Sequence, residues 1–242
     1  MISASVGYHC PSCVTSASQG AGRIINVASQ KPTVTYALIG INVFVFLVGL
    51  LLHVTTDIQN KFAMWPVAIA QGEWWRLLTS AFVHANIMHI GFNMLLLYQL
   101  GPSLEYVLGK SRYLSLYLLA ALGGTVASYY FSSITTFSFG ASGAIFGLMT
   151  ATVVLGRSRG HDMSQIVGLI VVNVIIGFTV SGIDWRAHFG GATIGALVAA
   201  VFSREPNLRK KPEHYVALLG ILALLVVMVF ARSNHIQQLF GL

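Results

Sequence analysis

Apolar residues run in long blocks along this 242-residue chain, at about 34–54, 87–108, 113–131, 142–156, 164–181, 187–203 and 215–231. Most of these blocks approach the length a helix needs to cross a hydrocarbon core, about 20 residues. The pattern predicts seven helices and an all-α polytopic membrane protein with one compact helical domain. Composition agrees. Hydrophobic residues make up 55% of the chain and charged residues only 9%, where a soluble domain carries roughly 25% charged residues.

The segments between the blocks are uneven. Residues 1–33 are rich in Ser, Ala and Gly and hold Cys10 and Cys13 in a C-x-x-C spacing. The first 30 residues lack an apolar core ending at a small-residue cleavage site, so no cleavable signal peptide is expected. Two thiols make half of a structural zinc site, which needs four ligands, and His9 is awkwardly placed to add a third. A plain linker and half of a zinc knuckle both fit, and no metal is assigned. Residues 55–86 hold three of the four tryptophans, which places this loop half-sunk at the outer head-group level. Trp75 and Arg76 are expected to pin its shape through hydrogen bonds to its own carbonyls. Residues 204–214 form a basic linker to the last helix, and 204–242 comprises that linker, the seventh helix and a short tail.

The net charge of +7 is a topology signal rather than a nucleic-acid footprint. With the N-terminus in the cytoplasm, Arg23, Lys31, Lys110, Arg112, Arg157, Arg159, Arg204, Arg209, Lys210 and Lys211 lie inside. Only Lys61, Arg76, Arg186 and Arg232 then lie outside. The opposite orientation would violate the positive-inside bias. The C-terminus is therefore expected outside, with acidic lipid head groups as the basic residues' partner.

Polar residues within membrane helices are costly and mark function. Here they are His84, His89 and Asn93 at the start of the second block, Ser142 at the start of the fourth and His188 at the start of the sixth. Ser142 to Gly156 and His188 to Phe202 each span roughly 21 Å at 1.5 Å per residue, and Asn93 to Leu108 roughly 22 Å. Counted up from the cytoplasmic face, all three reach one level below the outer boundary of a core about 30 Å thick. Residues 132–141 must then descend into the membrane without regular structure, which survives only where protein buries it or water reaches it. The hydroxyls there and Gly140 fit a wet cavity.

Gly143 and Gly147 follow Ser142, and Gly191 and Gly195 follow His188, each pair in the small-residue spacing that lets helices touch. Packed through these stripes, Ser142 and His188 come within hydrogen-bond reach. A serine needs such an adjacent base to become a nucleophile. The Ser142 N–H lies at a helix N-terminus, where amides are unpaired. His89 and Asn93, one turn apart, offer side-chain donors for an oxyanion. These are the parts of an acyl-transfer site.

The motifs WR at Trp75–Arg76, H-x4-H-x3-N at His84, His89 and Asn93, GASG at 140–143 and AHFGG at 187–191 resemble those of the rhomboid family of intramembrane serine proteases. The resemblance runs from about 34 to 231. It implies a rhomboid-like six-helix catalytic core at 34–203 plus a seventh C-terminal transmembrane helix. It implies a Ser142–His188 dyad hydrolysing a peptide bond of a transmembrane substrate near the outer face of a bacterial plasma membrane, with no cofactor. His89, Asn93 and the Ser142 amide resemble the family's oxyanion site, with Gly140 beside them, and His84 its additional histidine shaping loop and site. Phe146 stands where some bacterial members carry a tyrosine packed on the catalytic histidine, and Phe92 resembles the aromatic beside the substrate's way in. The N-terminal Cys10–Cys13 segment resembles the tail of a cysteine-rich zinc segment preceding some actinobacterial members.

Competing readings fit less well. Asp184 is better placed as a helix cap or loop charge than as an orienter of His188. Glu105 is expected to pair with Arg112 or a helix end. A catalytically dead rhomboid-like binder would normally lack the serine or the histidine. A transporter would show repeated halves or midplane charges, and a metalloprotease an H-E-x-x-H helix; neither is present.

Overall fold

The computed structural model describes residues 2–3, 8–9, 31–203 and 212–241. Cys10, Cys13 and the basic residues Arg23, Arg204, Arg209, Lys210 and Lys211 lie outside these. Contacts divide the chain into a unit over Met1–Lys31 and a second over Pro32–Leu242. In the first, β1 (Ile2–Ser3) and β2 (Tyr8–His9) pair antiparallel, Ile2 opposite His9.

The second unit is helical. Its long helices are α1 (Thr33–Leu51), α5 (Ile87–Leu108), α6 (Lys110–Phe131), α7 (Ser142–Arg157), α8 (Ser164–Thr179), α9 (Trp185–Ser203) and α10 (Pro212–Phe240). Residues 55–86, expected as a loop, fold into three short helices, α2 (Thr55–Phe62), α3 (Pro66–Ala70) and α4 (Arg76–Thr79), with a 3₁₀ turn at Ser80–Phe82. These are too short to carry a periodic signal. Pro66 at the first turn of α3 shows why that one starts where it does.

Among the described residues α1, α6 and α10 are long and apolar enough to cross a bilayer. The α4 segment and α5 together make a fourth such unit, bent by 92°. The chain is a multi-pass membrane protein. α7, with 16 residues, spans about 24 Å, less than a hydrocarbon core of about 30 Å. Residues 132–141 form turns and one isolated bridge, Ser138 and Met64 exchanging N–H···O bonds of 3.1 and 2.9 Å.

Helices α6, α7 and α9 form the tightest part of the bundle because their contacts are lined by glycine. A Cβ added at Gly195 would fall on the Cα and carbonyl of Gly147, and one at Gly191 on the carbonyl of Gly143. Gly123 and Gly124 of α6 face Ile194 and the Ala187 carbonyl of α9 in the same way. Thr150 adds a hydrogen bond from its hydroxyl to the Ala192 carbonyl, 2.8 Å. Backbones this close leave room for few side chains, and dispersion between the two surfaces is what holds helices together in lipid.

Two buried charges fasten the periphery. Glu105 of α5 accepts from the N–H groups of Val34 and Thr35 at 3.0 and 2.8 Å and from the Thr35 hydroxyl at 2.8 Å. It is paired with a helix end, at the positive N-terminus of α1. Arg76 donates to the Asn60 and Ala63 carbonyls at 2.7 and 2.9 Å and to Glu73 at 2.5 Å. The Trp75 indole adds a bond to the Lys61 carbonyl, 3.2 Å. The hydrogen bonds anticipated from this dipeptide are therefore present. Of the long helices α8 is the least buried, with Gly177 its one buried residue.

Candidate active site

Three N-terminal helix ends meet at the site. Asn86 caps α5, its side chain accepting from the His89 N–H at 3.0 Å. This starts the helix just before His89 and presents His89 and Asn93 one turn apart. Asp184 does the same for α9: Oδ1 accepts from the Arg186 and Ala187 N–H groups at 3.2 and 3.4 Å, and Oδ2 accepts from the Ser128 hydroxyl of α6. Both oxygens are thus engaged away from the His188 ring, and Asp184 acts as a helix cap. α7 begins at Ser142 itself, the third end.

Ser142 Oγ lies 2.9 Å from His188 Nε2. The two residues are 46 apart in sequence, and the distance follows from the glycine contact between α7 and α9. Both are half-buried. Phe146, one turn after Ser142, lies flat on the His188 ring, with centroids 4.3 Å apart and planes 14° from parallel. His188 Nδ1 is buried without a hydrogen-bond partner among the described residues. It faces Gly177 of α8, where an added Cβ would come within 3.4 Å.

Gly140 has φ +128°, a backbone region that favours glycine. Its N–H donates to the Ser80 carbonyl at 2.9 Å. A Cβ there would sit 2.6 Å from His89 Nε2, so this glycine lets the His89 ring close over the segment leading to Ser142. His89 Nδ1 accepts from the Ala85 N–H at 3.3 Å, which leaves Nε2 turned toward that segment as the ring's donor. Asn93 is 5% exposed and gives one amide hydrogen to the His89 carbonyl at 2.7 Å. His84 is 3% exposed and packs edge-on against the His89 ring at 5.0 Å.

Ser142, His188 and Phe146 are thus in direct contact, His89 closes on Gly140 two residues before Ser142, and Asn93 and His84 attach through His89. Phe92 stands apart. It is 60% exposed on the outer surface of α5. Three positioning residues were not read from the sequence. Ser80 holds Gly140 through its carbonyl, Gly177 leaves space beside His188, and Ser128 anchors Asp184. A hydroxyl in an apolar helix is a signal for Ser128, while an isolated glycine such as Gly177 carries none.

The profile of the Rhomboid domain matches residues 71–205, over half of the chain. Rhomboid protease GluP of Bacillus subtilis is 37% identical over 178 residues, which take in 70% of this chain and 35% of GluP. The chain therefore spans about a third of that relative's length. YdcA of the same organism is 31% identical over 183 residues, 74% of this chain and 92% of YdcA. Rhomboid protease AarA of Providencia stuartii is 27% identical over 200 residues, 69% of this chain and 70% of AarA. The matched span contains every residue of the cluster around Ser142 and His188, and the chain belongs to the rhomboid family of intramembrane serine proteases.

Proposed function

We propose that the chain hydrolyses peptide bonds of transmembrane substrates with Ser142 as nucleophile and His188 as base. The observation that carries this reading is the 2.9 Å contact between Ser142 Oγ and His188 Nε2. Oγ attacks the scissile carbonyl carbon while Nε2 takes its proton. The carbonyl oxygen becomes an oxyanion next to the Ser142 N–H, the first amide of α7, with His89 and the second amide hydrogen of Asn93 on the facing side. The imidazolium then returns its proton to the leaving amine as the C–N bond breaks. Water, deprotonated by the same imidazole, releases the acyl group and restores the serine.

The irregular segment 132–141 and the half-buried Ser142 support a water supply from one face of the membrane. The distribution of Lys and Arg supports an inside N-terminus and an outside C-terminus in a bacterial plasma membrane. On that topology cleavage occurs near the extracytoplasmic face. The exposed ring of Phe92 on α5 supports a role in lining the substrate's approach.

The test is labelling of the purified chain by a fluorescent fluorophosphonate, comparing wild type with Ser142→Ala and His188→Ala. We expect wild type to label and both variants to remain dark at unchanged thermal stability. Wild type that stays dark while an active rhomboid protease labels alongside it would overturn the dyad.

A further inference from the structure

His84 has neighbours of two kinds. Its ring meets the His89 ring edge-on, with centroids 5.0 Å apart. It also lines a small cavity where α2 packs on α1, walled by Val45, Phe46 and Gly49 of α1 and by Thr55 and Ile58 of α2. The two helices come close there because α1 offers a glycine. A Cβ at Gly49 would lie 3.3 Å from the Thr55 hydroxyl and 3.3 Å from Ile58 Cδ1. The cavity measures about 10 Å³, at the lower end of the roughly 10–15 Å³ that one water molecule needs. Its lining holds no carboxylate for a cation.

The two polar side chains of this lining are His84 and Thr55. His84 is 3% exposed, and neither of its ring nitrogens has a hydrogen-bond partner among the described residues. A neutral imidazole carries one N–H and one lone pair, and leaving such groups unmet in a buried position is costly. The Phe82 carbonyl interacts with the ring N–H from outside hydrogen-bond geometry. The lone pair still lacks a donor. α2 has no side-chain cap, which leaves the Thr55 hydroxyl at its first turn available across the cavity.

We propose that this cavity binds one structural water, which donates to the lone-pair nitrogen of His84 and accepts from the Thr55 hydroxyl. Two partners are the fewest a buried water keeps. The water ties His84, and through it the His89 ring, to the contact between α1 and α2. Thr55 and His84 are then positioning residues, a role that rests on the proposed place of His89 beside the oxyanion. Neither Ser142 nor His188 lines the cavity, so this is not the water that releases the acyl group.

The test places the full chain, isotope-labelled at the histidine ring nitrogens, in nanodiscs of deuterated lipid and reads polarisation transfer from water to imidazole by solid-state NMR. The His84 signals are assigned by their loss in His84→Gln. We expect a water cross-peak at the unprotonated nitrogen of His84. It should vanish in Thr55→Val, which removes the hydroxyl at nearly constant shape, and in Gly49→Ala, which puts a methyl group against the Thr55 hydroxyl. Thr55→Ser should keep it. Fluorophosphonate labelling should slow about two- to tenfold in Thr55→Val, the worth of one hydrogen bond, and Thr55→Ser should restore it. A wild-type His84 without a water cross-peak, or a cross-peak kept in both Thr55→Val and Gly49→Ala, would overturn the site. Equal labelling of Thr55→Val and wild type would overturn the positioning role. The NMR signal does not require an active chain. Protein that shows the cross-peak yet stays dark to fluorophosphonate would overturn the dyad, and the positioning role with it, and leave the water site standing.

Discussion

Replacing Gly191 with alanine adds one methyl group and tests whether the α7–α9 contact sets the distance between Ser142 and His188. The new Cβ would lie on the Gly143 carbonyl, 2.6 Å from its carbon and 3.0 Å from Gly143 Cα. Carbon atoms in favourable contact are about 3.5–4.0 Å apart, so the helices must separate by about 1 Å. Both partners are backbone, and no side chain can turn aside to absorb the strain. The Ser142–His188 distance, 2.9 Å, would then approach 4 Å, outside hydrogen-bond range. A misplacement of about 1 Å costs on the order of 100-fold in rate, and overpacking of this kind costs about 1–3 kcal/mol of stability. The assay is the rate of fluorophosphonate labelling together with thermal unfolding in detergent. Gly168→Ala on α8 is the control, because nothing lies within 4 Å of a Cβ there and alanine suits a helix interior better than glycine. The expected result is a loss of about two orders of magnitude for Gly191→Ala in protein that still unfolds cooperatively, and none for Gly168→Ala. Wild-type labelling by Gly191→Ala, or an equal loss in the control, would refute the argument that backbone contact positions the pair.

Phe146→Ala should release the His188 ring and, because Phe146 is buried in the core, also cost about 3–5 kcal/mol of stability; the lost aromatic contact, worth about 0.5–1.5 kcal/mol, should slow labelling about two- to tenfold in the protein that remains folded, with Phe146→Tyr restoring it. Arg76→Ala removes a buried guanidinium and its three hydrogen bonds and should lower stability by about 2–4 kcal/mol. Arg76→Lys should recover little, since an ammonium cannot reproduce the guanidinium's spread of donors; equal unfolding temperatures for Arg76→Lys and wild type would count against this. Asp184→Ala removes the cap of α9 and should cost about 1 kcal/mol, while Asp184→Asn should retain most of it; a far larger loss of labelling than of stability in both would instead tie the carboxylate to His188.

Much of the site was legible because its residues are chemically out of place. Ser142, His188, His89 and Asn93 stand in blocks that otherwise admit few polar side chains, and the spacing of Ser142, His188 and Asn93 from the basic turns predicts one level for those three. The long helices were legible for the same reason, since an unbroken apolar run in a membrane has few structures open to it. What escaped was the fold of residues 55–86. Its helices have four to eight residues, shorter than the periodicity that would betray them, and they are held by hydrogen bonds from Arg76, Trp75 and Thr79 to carbonyls whose positions depend on the finished fold. The partner of Glu105 escaped in part. A helix end was one expectation, but that it is the N-terminus of α1, some 70 residues earlier, is a matter of topology.

Backbone proximity and side-chain chemistry are divided here between different residues, and the division would let the proposed pair of Ser142 and His188 act without a third ionisable member. A carboxylate hydrogen-bonded to the His188 ring would fix its orientation, but an unpaired charge within the bilayer is expensive. The Phe146 ring and the bare backbone at Gly177 confine the imidazole from two sides instead, and the Asp184 carboxylate is engaged by the N-terminal amides of α9, the helix that carries the histidine, and by Ser128. Orientation is thereby supplied by packing, which lipid does not weaken. On the same reasoning the polar residues of α10 matter less for their own bonds than for where they hold the helix. Ser132 opens the segment that descends to Ser142, and Ala70 belongs to the loop that Arg76 braces. A helix anchored to both, through Arg232 and Gln237, ties these two segments to each other.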